Sequence, residues 1–183
     1  MAKVIAGATV SLGGFVEDAE GSAAALYSDF EELAGSEYMK ALQDETGAVL
    51  MGRRTFDMAE DPDDYADNYE FQVPMFVVTH EAPPVTPKSN GRLSITFVTD
   101  GVEEAVKRAV EAAGDRDVTF IGGADVFGQL LAAGLVDELS IDVMPVLLGD
   151  GVRLFAGGPA VTLEKVSAQE IGVRMALRYR VVR

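Results

Sequence analysis

Short apolar segments alternate with helix-like segments along most of this chain, and this alternation limits its fold more than any other feature. Residues 3–12, 47–52, 73–80, 93–99 and 117–122 are apolar and rich in β-branched side chains, as buried strands are. Strands that alternate with helices predict a sheet in which the strands run parallel.

The segments between the strands have the residue spacing of helices. Residues 28–45 predict one long helix. Asp100 and Glu103 form the D-x-x-E pattern of a capping box, which predicts the start of a second helix. Shorter helices are predicted at residues 53–59 and directly after residue 123.

The C-terminal part of the chain has the period of antiparallel strands. Residues 137–149 alternate as a sixth strand, and residues 162–182 predict a hairpin that turns near residues 171–172. The sequence therefore predicts a single α/β domain over residues 1–183, with a mixed, mostly parallel central sheet that ends in an antiparallel hairpin. One hairpin face carries arginines and the other is apolar: Arg174, Arg178 and Arg180 against Val173, Met175, Leu177, Tyr179 and Val181.

Composition excludes several classes of partner. The chain is 48% hydrophobic and 25% charged, as globular proteins are, and its net charge of −15 argues against nucleic acids and anionic membranes as partners. It contains no long apolar run and no basic leader-like N-terminus, so we expect a cytoplasmic protein. With no cysteine and one histidine, His80, the chain offers no zinc site, and we expect no metal.

The first junction of chemical interest is "GAVLMGRRTFD". Here a buried strand ends at Gly52, and Arg53, Arg54 and Thr55 open the next helix. Two guanidinium groups, a hydroxyl and free backbone N–H groups at one point are suited to bind a phosphate. The alternative is that Thr55 caps the helix and that both arginines are solvated.

The second junction is the Gly122–Gly123 pair in "FIGGADVFGQLLAAG". Two glycines before a helix allow its first N–H groups to approach a pyrophosphate, although a tight turn alone would also explain them. The pair is not the G-x-G-x-x-G fingerprint of a Rossmann domain. On neighbouring parallel strands, the two junctions would share the carboxyl edge of the sheet, where open α/β sheets bind ligands.

Other motifs do not support a different chemistry. The chain has no G-x-S-x-G elbow and no P-loop, and His80 is expected to be a residue at the edge of a loop. The segment "DPDDYADN", residues 61–68, matches a calcium loop at its first three residues only.

Several segments in order, "VSLGGFVED", "LMGRRTFDM", "VPMFVVTH" and "FIGGADVFGQLLAAGLVDELSIDVMPVLLGDGVRLF", together resemble the dihydrofolate reductase superfamily. The most similar branch is the reductase domain of bacterial riboflavin biosynthesis and its stand-alone relatives. The resemblance covers nearly the whole chain and implies a three-layer dihydrofolate reductase-like fold and an NADPH-dependent reductase. No deaminase domain with its zinc signature accompanies it.

The resemblance also implies which residues hold the cofactor. One group would hold the phosphates, a second the adenosine, and a third would lie near the nicotinamide. Asp125 has the wrong charge to bind a phosphate, so we expect it to cap the following helix. The implied residues are, in these three groups, Gly52, Arg53, Arg54, Thr55, Gly122, Gly123, Ala124, Asp125 and Val126; Thr79 and His80; and Ala8, Thr9 and Val16.

Two departures from the family pattern concern catalysis. Relatives commonly carry Asp in S-L-D-G, where this chain has Gly13, which puts the substrate role of that carboxylate in doubt. The acid on the first long helix of true dihydrofolate reductases has no securely aligned equivalent. Asp29, Glu31 and Glu32 are candidates for the proton donor, with solvation of the helix as the alternative explanation for each.

Two functional hypotheses follow from the resemblance. The first is hydride transfer from NADPH to a C=N or C=O bond of a heterocyclic or sugar-phosphate small molecule, with 5-amino-6-(5-phosphoribosylamino)uracil as one such substrate. The nicotinamide would lie beside the first strand, in a pocket roofed by the helix at residues 28–45. The second is a catalytically silent nucleotide-binding or interaction protein on the same fold.

The arginine-rich hairpin face also predicts an assembly. Arg174, Arg178 and Arg180 could pair with the acidic surface of a second copy in a homodimer that covers an exposed strand edge. Dimers are usual among the relatives that the chain resembles. The alternative is that these arginines pair with carboxylates of their own chain.

Overall fold

The computed structural model describes residues 1–183 and contains ten strands and six α-helices. The strands are β1 (Val4–Ser11), β2 (Phe15–Glu17), β3 (Thr46–Gly52), β4 (Met75–Val78), β5 (Ile95–Val98), β6 (Asp117–Ile121), β7 (Glu138–Met144), β8 (Val152–Arg153), β9 (Thr162–Ile171) and β10 (Arg174–Val182). The helices are α1 (Phe30–Ala34), α2 (Glu37–Glu45), α3 (Arg53–Phe56), α4 (Asp64–Asn68), α5 (Val102–Ala113) and α6 (Ala124–Ala132), preceded by a 3-10 helix at Ala24–Tyr27.

Eight strands form one central sheet in the order β5-β4-β3-β6-β1-β7-β10-β9. The strands from β5 to β7 in this order pair in parallel, and β10 and β9 join them in antiparallel register. β2 and β8 form a separate two-stranded ribbon. The predicted fold, a mostly parallel sheet that ends in an antiparallel hairpin, is confirmed.

Helices cover both faces of the sheet and give the three layers of the predicted fold. On one face, α5 and α6 bury Ala105, Ala109, Phe127 and Leu130 against the sheet. The small alanines bring α5 close to β3, where a Cβ on Gly47 would lie only 2.5 Å from the carbonyl oxygen of Ala113. On the other face, α1 to α4 enclose a second apolar core. None of the helices has the length and apolar composition needed to cross a membrane.

Two details of the helix predictions are wrong. The segment at residues 28–45 is not one helix, because α1 ends at Gly35 and the hydroxyl of Ser36 accepts a hydrogen bond from the Met39 N–H (3.1 Å) as the cap of α2. The capping box of α5 does not form. Gly101, with φ of +92°, is the N-cap, and the Asp100 carboxylate lies 3.6 Å from Arg108 instead.

Each arginine of the hairpin face has a carboxylate partner in its own chain. The Arg174 side chain is 0% exposed and donates to both oxygens of Asp29 (2.9 and 2.5 Å) and to Asp142 (2.8 Å). Arg178 pairs with carboxylates of β7 and α2, and Arg180 pairs with one of β9. The structure therefore supports the alternative, in which these arginines pair with carboxylates of their own chain, and the homodimer stays a prediction.

Replacement of Arg174 by Ala should destabilise the protein far more than the same replacement of Arg180. Removing a buried guanidinium leaves Asp29 and Asp142 unpaired, which costs about 3–5 kcal/mol. The Arg180 pair is exposed, with 55% and 62% of its two side chains accessible, and its loss should cost no more than about 1 kcal/mol. Free energies of unfolding in urea measure the difference, and equal losses for Arg174→Ala and Arg180→Ala would contradict it.

Candidate active site

The two predicted junctions meet at one edge of the sheet. β3 and β6 are parallel neighbours, so the starts of α3 and α6 lie side by side at their carboxyl ends. Gly122 and Gly123 have φ of +73° and +90°, a region that favours glycine. A Cβ on Gly122 would lie 2.7 Å from the methyl carbon of Thr55. The glycine pair therefore serves a close approach between the two junctions as well as a turn.

A cleft of about 550 Å³ runs along these junctions, and we name it the junction cleft. Both arginines of the cleft donate hydrogen bonds to acceptors of the protein itself. Arg53 donates to Asp57 (2.8 Å) and to the Glu81 carbonyl (3.0 Å), and Arg54 donates to Glu17 (2.6 Å). Each guanidinium has five N–H donors, so both keep donors that these contacts do not use. The cleft is lined by residues that include Gly52, Arg53, Arg54, Thr55, Thr79, His80, Gly123, Ala124, Asp125 and Val126.

A second cavity of about 230 Å³ lies beside β1, and we name it the strand-one cavity. It is lined mainly by apolar side chains, several of which come from the segment at residues 24–45 that roofs it. The strand-one cavity and the junction cleft adjoin, because they share four lining residues, Glu17, Thr55, Gly123 and Ala124. The lining of the strand-one cavity includes Ala8, Thr9, Val16, Tyr27, Phe30, Tyr38, Met39, Leu42 and Gly122.

All fourteen residues predicted to hold a cofactor thus line one or both of these adjoining spaces. One local expectation fails, and so does one alternative. Asp125 does not cap α6, because its carboxylate accepts a hydrogen bond from the Gln129 side chain (2.7 Å) one turn along the helix. Thr55 does not cap α3 either, since it lies within the helix and packs beside Gly122. The binding roles of the fourteen residues remain predictions.

The residues suggested as proton donors do not present a free acid to the cavity. Asp29 is bound through both oxygens to Arg174, and these hydrogen bonds lower its pKa, so it is ionised at neutral pH and poorly suited to give a proton. Glu31 and Glu32 are exposed on α1 and are absent from the cavity lining. Gly13 also lies outside both spaces, and its carbonyl accepts a hydrogen bond from Arg153 (3.2 Å).

Sequence reasoning missed the polar groups that do line the strand-one cavity. Glu70 follows α4 and is exposed, and partial desolvation by the surrounding protein raises the pKa of its carboxyl. Tyr27 is also partly exposed, and partial desolvation raises its pKa, with the nearby Thr9 acting in the opposite direction. The Tyr38 hydroxyl donates to Asp142 (2.7 Å). Glu70 lies in an irregular acidic stretch without periodicity, so no pattern in the sequence could distinguish it from its solvated neighbours.

Comparisons with known proteins agree with this architecture. The family model of the RibD C-terminal domain matches residues 2–177. The uncharacterized protein YyaP of Bacillus subtilis strain 168 is 25% identical over 162 residues, which cover 84% of this chain and 80% of YyaP.

Among solved structures, a protein of Shewanella sp. PV-4 assigned to riboflavin biosynthesis has a TM-score of 0.78 at 22% identity, with all of both chains covered. A diaminohydroxyphosphoribosylaminopyrimidine deaminase/5-amino-6-(5-phosphoribosylamino)uracil reductase of Thermotoga maritima has a TM-score of 0.69 at 15% identity, and the match covers 99% of this chain and 57% of that one. At these identities, the two structures show that the fold is shared.

Replacement of Gly122 by Ala should destabilise the junction, whereas the same replacement of Gly128 should not. At Gly122 the added methyl group meets Thr55 and the φ of +73° strains any residue with a Cβ, which together cost about 1–3 kcal/mol. Gly128 lies within α6 with open space around its Cβ position, so Ala there should stabilise the helix by about 0.5–1 kcal/mol. Urea unfolding of both variants measures these changes. A neutral Gly122→Ala would mean that the two junctions are not in close contact.

Proposed function

Because the chain belongs to the RibD C-terminal domain family, we propose that it is an NADPH-dependent reductase that transfers a hydride to a C=N or C=O bond of a heterocyclic substrate. The observation that carries this proposal is the continuity of the junction cleft with the strand-one cavity. A long cleft for a dinucleotide and a small apolar cavity for two reacting rings share one edge of the sheet.

The chain has the groups that a dinucleotide requires at the junction cleft. Gly122 and Gly123 leave the backbone uncovered by any Cβ, and the first turn of α6 presents N–H groups without helical partners. Arg53 and Arg54 supply positive charge on a chain whose net charge is −15. The resemblance implies that these residues hold the phosphates, and that Thr79 and His80 contact the adenosine. When bound, NADPH would supply the hydride.

The residues around the strand-one cavity would orient the reacting rings and exclude water. Ala8 and Thr9 of β1 lie on one side of the cavity, and the roof from residues 24–45 closes the other with apolar side chains. Exclusion of water strengthens each electrostatic contact inside such a site. The family makes 5-amino-6-(5-phosphoribosylamino)uracil the first compound to test as a substrate. A catalytically silent nucleotide-binding protein would instead bind NADPH without oxidising it in the presence of any compound.

NADPH should raise the melting temperature of the protein clearly more than NADH does. A ligand that binds the native state stabilises it, and the additional phosphate of NADPH would contact the segment of Arg53 and Arg54.

Arg53→Ala and Arg54→Ala should each weaken NADPH binding by about 1.5–3 kcal/mol through the loss of a charge-assisted contact. Arg92→Ala removes an equal charge from an exposed position outside the cleft and should leave the affinity unchanged. Thermal shift and titration calorimetry measure both effects.

Equal shifts with NADPH and NADH, or none, would contradict the cofactor assignment. If both arginine variants bound as tightly as the parent, the phosphate site would lie elsewhere. NADPH oxidation, followed by absorbance against pterins, pyrimidine ribosyl phosphates and small carbonyl compounds, then separates the reductase from the silent binding protein.

We also propose a homodimer, on a different basis from the arginines. β9 is an edge strand, and each of its residues except Ile171 is exposed, so both faces and the open edge of a ten-residue strand meet solvent. Leu163 and Val166 are 39% and 47% exposed on it. Proteins usually cover or break a long open edge of this kind. A second copy related by a two-fold axis would cover it.

Light scattering at micromolar concentration should therefore give a mass near twice the 19.4 kDa of the chain. Val166→Lys should shift the mass towards that of the monomer, because a charge would be buried in the interface. The control is Val85→Lys, at an exposed loop position (75% accessible) far from β9 in the sequence, which should leave the mass unchanged. A mass near 19.4 kDa for the parent protein refutes the dimer.

A further inference from the structure

The strand-one cavity is acidic. Its lining contains four carboxylates, Glu17, Glu45, Glu70 and Asp142, and a single guanidinium, that of Arg174. These groups give the lining a formal charge of −3 when all are ionised. Arg54 and Arg178 pair with Glu17 and Glu45 from outside the lining, so the only cation that an anionic ligand would meet in the lining itself is Arg174.

The one cation of the lining is committed to the fold. Arg174 is fully buried, and its partners Asp29 and Asp142 have only 9% and 10% of their side chains exposed. A phosphate could recruit this guanidinium only by displacing one of the two carboxylates, which would then be buried without a partner. Arg174 therefore does not serve as a phosphate anchor.

Three of the four carboxylates are also committed. Glu17 pairs with Arg54 (2.6 Å), Glu45 with Arg178 (2.9 Å), and Asp142 with Arg174 and Tyr38. Glu70 is exposed to solvent and has no ion pair and no hydrogen bond from another side chain. It is thus the carboxyl group of the cavity that is left for a ligand.

The volume of the cavity sets a second limit. At about 230 Å³ it is smaller than the 300–1,000 Å³ typical of sites that bury drug-sized ligands. Because the nicotinamide is also expected in this space, the room left suits only a small substrate ring. A ring with a ribosyl phosphate would place its phosphate among the carboxylates or outside the cavity.

We propose that the strand-one cavity takes a small, phosphate-free heterocycle, neutral or cationic, whose N–H groups face Glu70, and that it discriminates against phosphorylated substrates. This inference rests on the proposed reductase function and narrows its substrate class. It separates the chain from a reductase that acts on 5-amino-6-(5-phosphoribosylamino)uracil, because a phosphate brings about −1.5 to −2 charges and requires cations that this lining does not offer.

Titration calorimetry on the NADPH-loaded protein tests the discrimination with matched ligands. One pair is 5-amino-6-ribosylaminouracil and its 5′-phosphate, and the other is 2,4-diaminopyrimidine and uracil, which differ in the N–H groups offered to a carboxylate. We expect the phosphate-free member and the diamino compound each to bind at least tenfold more tightly than its counterpart. Equal or tighter binding of the phosphate, or no binding of either phosphate-free compound, would overturn the proposal.

Glu70→Gln keeps the shape of the side chain and removes its charge. It should weaken binding of 2,4-diaminopyrimidine at least tenfold and change NADPH affinity less than twofold. Glu60→Gln is the matched control, since Glu60 is exposed in the same acidic stretch and is absent from the cavity lining. Equal affinities of the two variants for the diamino compound would refute the role of Glu70.

The two proposals fail in different ways. If the protein does not bind NADPH, the reductase proposal is refuted. In that case 2,4-diaminopyrimidine is titrated into the protein alone, and the affinities of the Glu70→Gln and Glu60→Gln variants still test the role of Glu70 in the cavity.

Discussion

The buried guanidinium of Arg174 holds together the parts of the structure that enclose the strand-one cavity. It joins the start of β10 to Asp29, which precedes α1, and to Asp142 of β7, and Tyr38 of α2 donates to the same Asp142. Burial alone would lower the pKa of Arg174, but the hydrogen bonds that it donates to both carboxylates outweigh burial and raise it. The charge is stable only while both partners remain in place, so the hairpin, the sheet and the cavity roof are positioned together. Because this cation completes the fold, it is not free to bind a ligand.

The opposite edge of the site depends on backbone geometry rather than on charge. Parallel pairing of β3 with β6 brings two strand-to-helix junctions into contact, and their closeness requires the absence of a side chain at Gly122. Val126 of α6 packs against Gly52. The Val126 Cγ2 atom lies 3.1 Å from the position that a Cβ on Gly52 would take, so α6 lies close against the end of β3. Backbone N–H groups of a helix start can then face one space together with Arg53 and Arg54. This arrangement follows from topology and from a few glycines.

Local signals explain which features the sequence could predict. The apolar period of each strand and the residues of the two junctions are encoded within a few positions, and the structure assembles them as expected. Partners distant in the sequence left no such signal. Two other errors have local causes. The Ser36 hydroxyl accepts a hydrogen bond from a backbone N–H and so divides the predicted helix in two, and Asp100 contacts Arg108 instead of forming a capping box. The ion pair of Arg174 with Asp29 spans more than a hundred residues, and Glu70 lines the cavity from an irregular segment. Neither periodicity nor spacing reports either feature.

This difference between the two halves of the site bears on how far family membership can be extended to function. The junction cleft is built from strand ends and helix starts that the shared fold brings together, so a cofactor that depends on them follows the fold. The strand-one cavity is closed instead by connections, namely the segment at residues 24–45 and Glu70 beyond α4. Connections carry the chemistry that varies between proteins of one fold. A chain can therefore keep the cofactor half of a reductase while the charge of its substrate half changes. In this chain the one cation of the cavity lining, Arg174, is buried between two carboxylates, so the substrate half offers no free cation.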